Sequence, residues 1–208
     1  MTLLLDLDGT LIDSSPTILQ GFAMAMQSCG VEPIRPLTHD VIGPPLKDTL
    51  ATLTGRTEPD VLESLASAFK SWYDTEGFKH TVVFPDVAES LSALSRQTRL
   101  YIATNKRLAP TQAILDYLGW TPWFSGIYAL DKIHPAWANK GEMLAALMQA
   151  EGIQAHDALY VGDTLGDMKA AQANQLEFVA ATWGYGDFSD IACKKLHRPH
   201  ELMQLLNG

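Results

Sequence analysis

The 208-residue chain predicts an α/β fold, a parallel sheet covered by helices, with a helical insertion after the first strand. Three observations carry this. From residue 81 onward, short β-type runs alternate with stretches of helical periodicity, the pattern of strand–helix–strand units. Residues 15–80 hold helical stripes and no convincing strand. An apolar strand-like run, Leu3–Leu5, lies ahead of that insertion. The expected core is therefore 1–14 joined to 81–208, and 15–80 is expected to form a helical cap.

In chain order, the first strand is "LLLDL", which raises a problem because it ends in a carboxylate and is followed by another. Asp6 and Asp8 flank Leu7, so an extended chain would point both to one side. Buried there, they need a cation or a proton held between them. The insertion opens with Ser15 as expected N-cap and Pro16 at the first helical position, and Ile18, Phe22, Met26 and Cys29 share a face before Gly30. Leu46, Leu50 and Leu53 make a second stripe ending at Gly55. A third begins near Pro59, carries Leu62, Leu65, Phe69 and Trp72, and stops at Gly77. Methionines and aromatics at this spacing read as core. The remaining strands are "RLYIAT", "GIYAL", "ALYVG" and "EFVAAT". Helices are expected around Asp86–Arg96, Leu108–Leu118, Lys140–Glu151 and Gly166–Ala173, with a last one near His200–Leu206. There is no internal repeat and no low-complexity segment.

Composition narrows the function. With 47% apolar residues the chain can bury a sizeable core, and its formal charge of −9 argues against nucleic acid or an anionic membrane as partner. The one basic run, Lys194, Lys195, His197, Arg198 and His200, reads as a solvated surface segment. Only two residues precede the leucine run, so no signal or transit peptide is expected, and no apolar stretch is long enough for a bilayer. Cys29 and Cys193 form no CxxC pair, which fits a reduced, cytoplasmic protein. The six histidines show no transition-metal spacing.

Ligands of parallel α/β sheets bind beyond the carboxyl ends of the strands. Asp6 and Asp8, Thr104 and Asn105, and Asp163 all fall at that edge. In "ANKGE", Asn139 is the expected N-cap and Glu142 the third helical residue, which puts Lys140 in the first turn. The helix dipole disfavours a cation there by roughly 0.3–1 kcal/mol. Lys140 is either a solvated lysine or the counter-charge to the carboxylates, placed to hold an anion. Asp167 follows Asp163 by four residues, where an acid is also favoured by the helix start alone. Carboxylates gathered at one edge without histidine call for Mg²⁺, which keeps positions for water and phosphate. The site reads as one for a phosphoryl group.

"DLDGTLIDS", "IATNK", the lysine before a helix and "YVGDTLGDM" resemble the four ordered motifs of the haloacid dehalogenase-like hydrolase superfamily, in the helical-cap branch that includes phosphoglycolate phosphatases. "IGPPL", "FPDV" and "TWGYG" extend the likeness over nearly the whole chain. The resemblance implies a Rossmann-like core and a Mg²⁺-dependent phosphatase acting on a small phosphorylated metabolite through an aspartyl-phosphate. It makes Asp6 the nucleophile and Asp8 the acid and base, with Thr104 and Lys140 on the phosphoryl oxygens. Asp6, Asp163 and the Asp8 carbonyl would hold the metal, assisted by Asp167. Gly9, Thr10 and Asn105 would contact substrate, Gly9 by letting the chain turn its N–H groups toward phosphate. Gly43 in "IGPPL" is the candidate for a cap loop that reads the leaving group, the other reading being an ordinary helix-start turn. Close relatives usually carry Lys-Pro where this chain has "NKGEM", so Lys140 is assigned by position and Lys132 is its competitor.

Asp8 argues against the metal-free dehalogenases, which resemble this chain but lack that second acid. The runner-up is a sugar-phosphate mutase or pyrophosphatase on the same scaffold, although Lys47 is the only cation in "HDVIGPPLKDTL". A phospho-accepting signalling domain also gathers acids, a Thr and a Lys around Mg²⁺, but has no reason to insert a cap. The sequence assigns no oligomeric state.

Overall fold

A computed structural model describes residues 1–206 of the chain. Its strands are β1 (Thr2–Leu5), β2 (Ile12–Asp13), β3 (Val82–Val83), β4 (Arg99–Thr104), β5 (Gly126–Ala129), β6 (Ala158–Gly162), β7 (Glu177–Ala181) and β8 (Lys194–Leu196). Six of them form one parallel sheet in the order β5-β4-β1-β6-β7-β8, and β2 pairs with β3 in a separate antiparallel ribbon. The chain divides into two compact units, Met1–Asp13 with Val82–Gly208, and Ser14–Thr81.

The sheet strands read as continuous apolar runs because helices cover both faces. β1 is buried along its whole length between β4 and β6. On one face Leu4, Tyr101, Ala103, Tyr160 and Phe178 pack with Met143, Leu144 and Leu147 of α6 (Lys140–Glu151) and Ala170 and Ala171 of α7 (Leu165–Ala173). Leu3, Leu5, Leu100, Ile102 and Val161 alternate with these and are equally buried.

The helices α4 (Val87–Leu94) and α5 (Leu108–Tyr117) complete the first unit. α4 starts one residue after the expected Asp86, which takes a left-handed φ of 64° that a helix forbids, and it ends at Leu94, two residues before the expected Arg96. The last expected helix is a 3₁₀ segment, Pro199–Leu206. β8 is a strand the sequence reading missed: Lys194 and Lys195, read as solvated surface, pair through their backbone with β7 at the sheet edge. Lys194 stays exposed while Leu196 is buried, as suits an edge strand guarded by charge.

The second unit contains α1 (Ser15–Cys29), α2 (Leu46–Thr54) and α3 (Pro59–Tyr73), with 3₁₀ turns at His39–Val41 and Gly77–His80. The N-cap of α1 is Ser14, one residue before the expected Ser15. α1 packs on α3 through Phe22 and Phe69, whose ring centroids lie 5.0 Å apart. Gly21 makes this possible, since a Cβ there would meet the Phe69 ring at 2.8 Å.

Candidate active site

The order of the sheet places the site. From β1 the chain builds outward to β4 and β5, then returns to the other side of β1 for β6, β7 and β8. β1 therefore lies where the strand order reverses, the position at which parallel α/β sheets bind ligands beyond the carboxyl ends of their strands. The register pairs Leu5 with both Ile102 and Val161. Asp6, Thr104 and Asp163 are thus brought to one edge, and the Asp6 N–H continues the ladder with a 2.9 Å bond to the Val161 carbonyl.

Beyond Asp6 the chain does not stay extended. Leu11 and Ile12 both donate their N–H to the Leu7 carbonyl, and Asp8 bridges back to Ile12. Past this turn each of the two carboxylates meets a lysine. Lys140 Nζ lies 3.0 Å from Asp6 Oδ1, and Lys106 Nζ lies 3.1 Å from both Asp8 oxygens. Lys140 is buried, with a side chain 8% exposed. Lys132 instead places its ammonium 3.4 Å from the Tyr128 ring centroid.

Lys140 also contacts Asp167 Oδ1, which accepts from the Tyr160 hydroxyl at 3.1 Å. The other oxygen, Oδ2, accepts from the Thr164 N–H at 3.0 Å and the Thr164 hydroxyl at 2.7 Å. The Thr164 hydroxyl caps the Asp167 N–H in return, a reciprocal capping box at the start of α7. Burial would raise the Asp167 pKa, but Lys140 and these donors outweigh it and hold Asp167 below the usual carboxylate range. Burial likewise opposes the Lys140 ammonium, and Asp167 and Asp6 outweigh it, raising its pKa above the ordinary lysine value. Tyr160 is kept neutral, chiefly by burial and then by the nearby acids.

Asp163 is fully buried and receives no ion pair among the described residues. The Tyr185 N–H donates to its Oδ2 at 2.8 Å and the Thr10 hydroxyl approaches its Oδ1 at 3.4 Å. Burial, then the charges of Asp167 and Asp6, push its pKa well above the ordinary value. Asp6 is raised to about 7, again mainly by burial, with Lys140 pulling the other way. Oxygen atoms of Asp6, Asp163 and Asp167 lie within 4.8 Å of one another. Carboxylates this close and this desolvated fit a hard divalent cation. Asp167, with Lys140 and Tyr160 on one oxygen and two Thr164 donors on the other, is the least available of the three.

Gly9 and Thr10 lie against this cluster, but their N–H groups are engaged inside the turn, on the carbonyls of Ile12 and Leu7. What Gly9 supplies is room: its φ is +79°, and a Cβ there would come within 2.0 Å of Asp163 Oδ2. Thr104 is buried, and its hydroxyl accepts from the Lys106 N–H at 3.2 Å. Asn105 follows it in the same turn. Gly43 belongs to the second unit, in the loop before α2, with φ +124°.

Sequence reasoning missed Lys106, Tyr160, Trp183 and Tyr185. Trp183 Nε1 donates to the Thr10 carbonyl at 3.0 Å and the Tyr185 hydroxyl to Asp13 at 3.0 Å, so "TWGYG" fastens the turn after β1. The two glycines around Tyr185 were the available signal, since a Cβ on either Gly184 or Gly186 would strike Asp163 at 2.3 Å.

A family model described as haloacid dehalogenase-like hydrolase matches residues 3–181. A 5'-nucleotidase of Pseudomonas aeruginosa is 27% identical over 199 residues, covering 95% of this chain and 88% of the relative. A phosphoglycolate phosphatase of Xylella fastidiosa is 30% identical over 193 residues, covering 91% and 83%. Among solved structures, a haloacid dehalogenase-like family hydrolase from Streptococcus pneumoniae superposes with a TM-score of 0.85 at 28% identity, covering 99% of this chain and 97% of the other.

Proposed function

The chain belongs to the haloacid dehalogenase-like hydrolases, and from that premise we propose that it is a phosphatase hydrolysing a small phosphate monoester, in the manner of phosphoglycolate phosphatases. The carrying observation is the meeting of buried Asp6 with Lys140 and Asp163 at the sheet edge, a nucleophile beside a cation and a second carboxylate. Relatives named phosphoglycolate phosphatase and 5'-nucleotidase support the same class of ester.

In this reading Asp6 attacks phosphorus in line, the bond to the leaving oxygen breaks, and Asp8 delivers a proton to that oxygen. Asp8 then takes a proton from water as it attacks the aspartyl-phosphate, which releases phosphate and restores Asp6. The Thr104 hydroxyl and the Lys140 ammonium hold the phosphoryl oxygens. A divalent cation, Mg²⁺ in this reading, would be held by Asp6, Asp163 and the Asp8 carbonyl and would neutralise phosphoryl charge. Asp167 assists by holding Lys140. The unit Ser14–Thr81 acts as a cap that shields the aspartyl-phosphate from bulk water, with Gly43 in its reading loop.

No described helix is long and apolar enough to cross a membrane. The free, half-buried Cys29 and Cys193 support a reduced cytoplasmic setting. The test is phosphate release from a panel of phosphorylated metabolites, including 2-phosphoglycolate and nucleoside monophosphates, with Mg²⁺ and with excess EDTA. Mg²⁺-dependent release is expected. Full activity in EDTA would remove the metal from the reading, and no release from any ester would overturn it.

A further inference from the structure

We infer that Lys106 is a specificity-determining residue that selects phosphate esters whose leaving alcohol carries an anion, such as a carboxylate, next to the ester oxygen. This rests on the phosphatase reading and deepens it, because it assigns part of the reading of the leaving group to the core.

The two site lysines divide the carboxylates between them. Lys140 serves Asp6 and Asp167, where phosphoryl transfer is placed, whereas Lys106 spans both oxygens of Asp8, where the leaving group departs. The position of Lys106 is fixed by its chain. Its N–H is tied to the Thr104 hydroxyl at 3.2 Å, and two residues on the Leu108 N–H donates to Asp131 at 2.7 Å as α5 begins.

An acid that protonates the leaving oxygen must come within about 2.6–3.2 Å of it. A substituent on the neighbouring carbon then lies beside whatever neutralises that acid. The side chains of Lys106 and Asp8 are only 6% and 12% exposed, so charge there is poorly screened. With Asp8 carrying the proton it delivers, a carboxylate arriving on the leaving group meets the Lys106 ammonium and is attracted by it. A hydroxyl or amide could fasten Asp8 as well, without the cost of desolvating an ammonium. A cation at this position is explained by an anion that comes with the substrate.

The experiment compares full-length wild type, Lys106→Met and Lys106→Arg on 2-phosphoglycolate and on 2-hydroxyethyl phosphate, which replaces the carboxylate by an uncharged group. Loss of a hydrogen bond to a charged group predicts that Lys106→Met loses about 10–100-fold in kcat/KM on 2-phosphoglycolate, mainly through KM. On 2-hydroxyethyl phosphate, where only the hold on Asp8 is lost, the drop should be several-fold smaller, and Lys106→Arg should recover most of the loss on 2-phosphoglycolate. Lys106→Gln replaces the Met variant if that one fails to fold. An equal loss on both esters makes Lys106 a holder of Asp8 only and overturns the inference, as does no loss on either. If wild type releases phosphate from neither ester, nor from any of the wider panel, the phosphatase reading falls and takes the inference with it.

Discussion

Lys140 and Asp6 form a buried ion pair, 3.0 Å between Nζ and Oδ1, although they stand 134 residues apart in the chain. Replacing Lys140 by Met strands Asp6 and Asp167 without a counter-charge. In metal-free protein the stability should drop by about 3–5 kcal/mol, read by denaturant unfolding. Turnover should fall by at least about 10²-fold, as for removal of an oxyanion donor. Lys140→Arg should rescue neither fully, because a planar guanidinium does not fit where one ammonium meets two carboxylates.

Asp6 and Asp8 look alike in sequence and have different partners, so their variants should behave differently. Asp6→Ala should abolish any trapped phospho-enzyme. Asp8→Ala should slow turnover by about 10²–10⁴-fold on esters with a poor leaving group. With a nitrophenolate leaving group the first step should suffer less. Ordinary turnover by Asp6→Ala would remove Asp6 as nucleophile.

Metal-free protein should lose stability as pH rises. Burial lifts Asp6 to about 7 and Asp163 well above its usual value, whereas an unfolded aspartate titrates near 3.8. Through the window from 3.8 to about 7 the folded chain binds more protons than the unfolded one, so unfolding becomes progressively easier. Melting temperature in EDTA should therefore decline from pH 5 to pH 8, and Mg²⁺ should flatten the slope by taking the place of the proton. A Tm that rises across this window in EDTA would contradict the burial argument.

Replacing Gly43 by a bulky residue should lower kcat/KM for the preferred metabolite far more than for small generic esters. Its φ of +124° suits glycine, so the variant's melting curve must be compared with wild type. Equal loss on all substrates with an intact fold would point to the turn alone.

What the sequence made legible follows from locality. β1, β4 and β6 were readable as dense apolar runs, and the start of α6 from Asn139, whose side chain does accept from the Glu142 N–H at 3.0 Å. The acids at the strand ends were readable because burying an unpaired carboxylate is costly. β8 escaped because "KKL" carries two lysines and borrows its order from β7. β2 and β3 are two residues each, and neither holds without the other. Lys106 escaped for a different reason: its partner is Asp8, and only the pairing of β1 with β4 brings them together. The turn at Leu7 was likewise invisible while the chain was read as extended.

The middle strand of the sheet comes before everything it pairs with. Thr2 is matched with Arg99 on one side and Ala158 on the other, and the unit Ser14–Thr81 intervenes before either. As the chain leaves the ribosome, "TLLL" has to wait with both hydrogen-bonding edges open, the condition under which apolar strands join one another instead of their own sheet. Asp6 and Asp8 follow it immediately, and charges flanking an unavoidable apolar strand discourage that association. The charges of Asp6 and Asp8 suit them to guard the strand during synthesis, so neutralising both should raise the yield of aggregate.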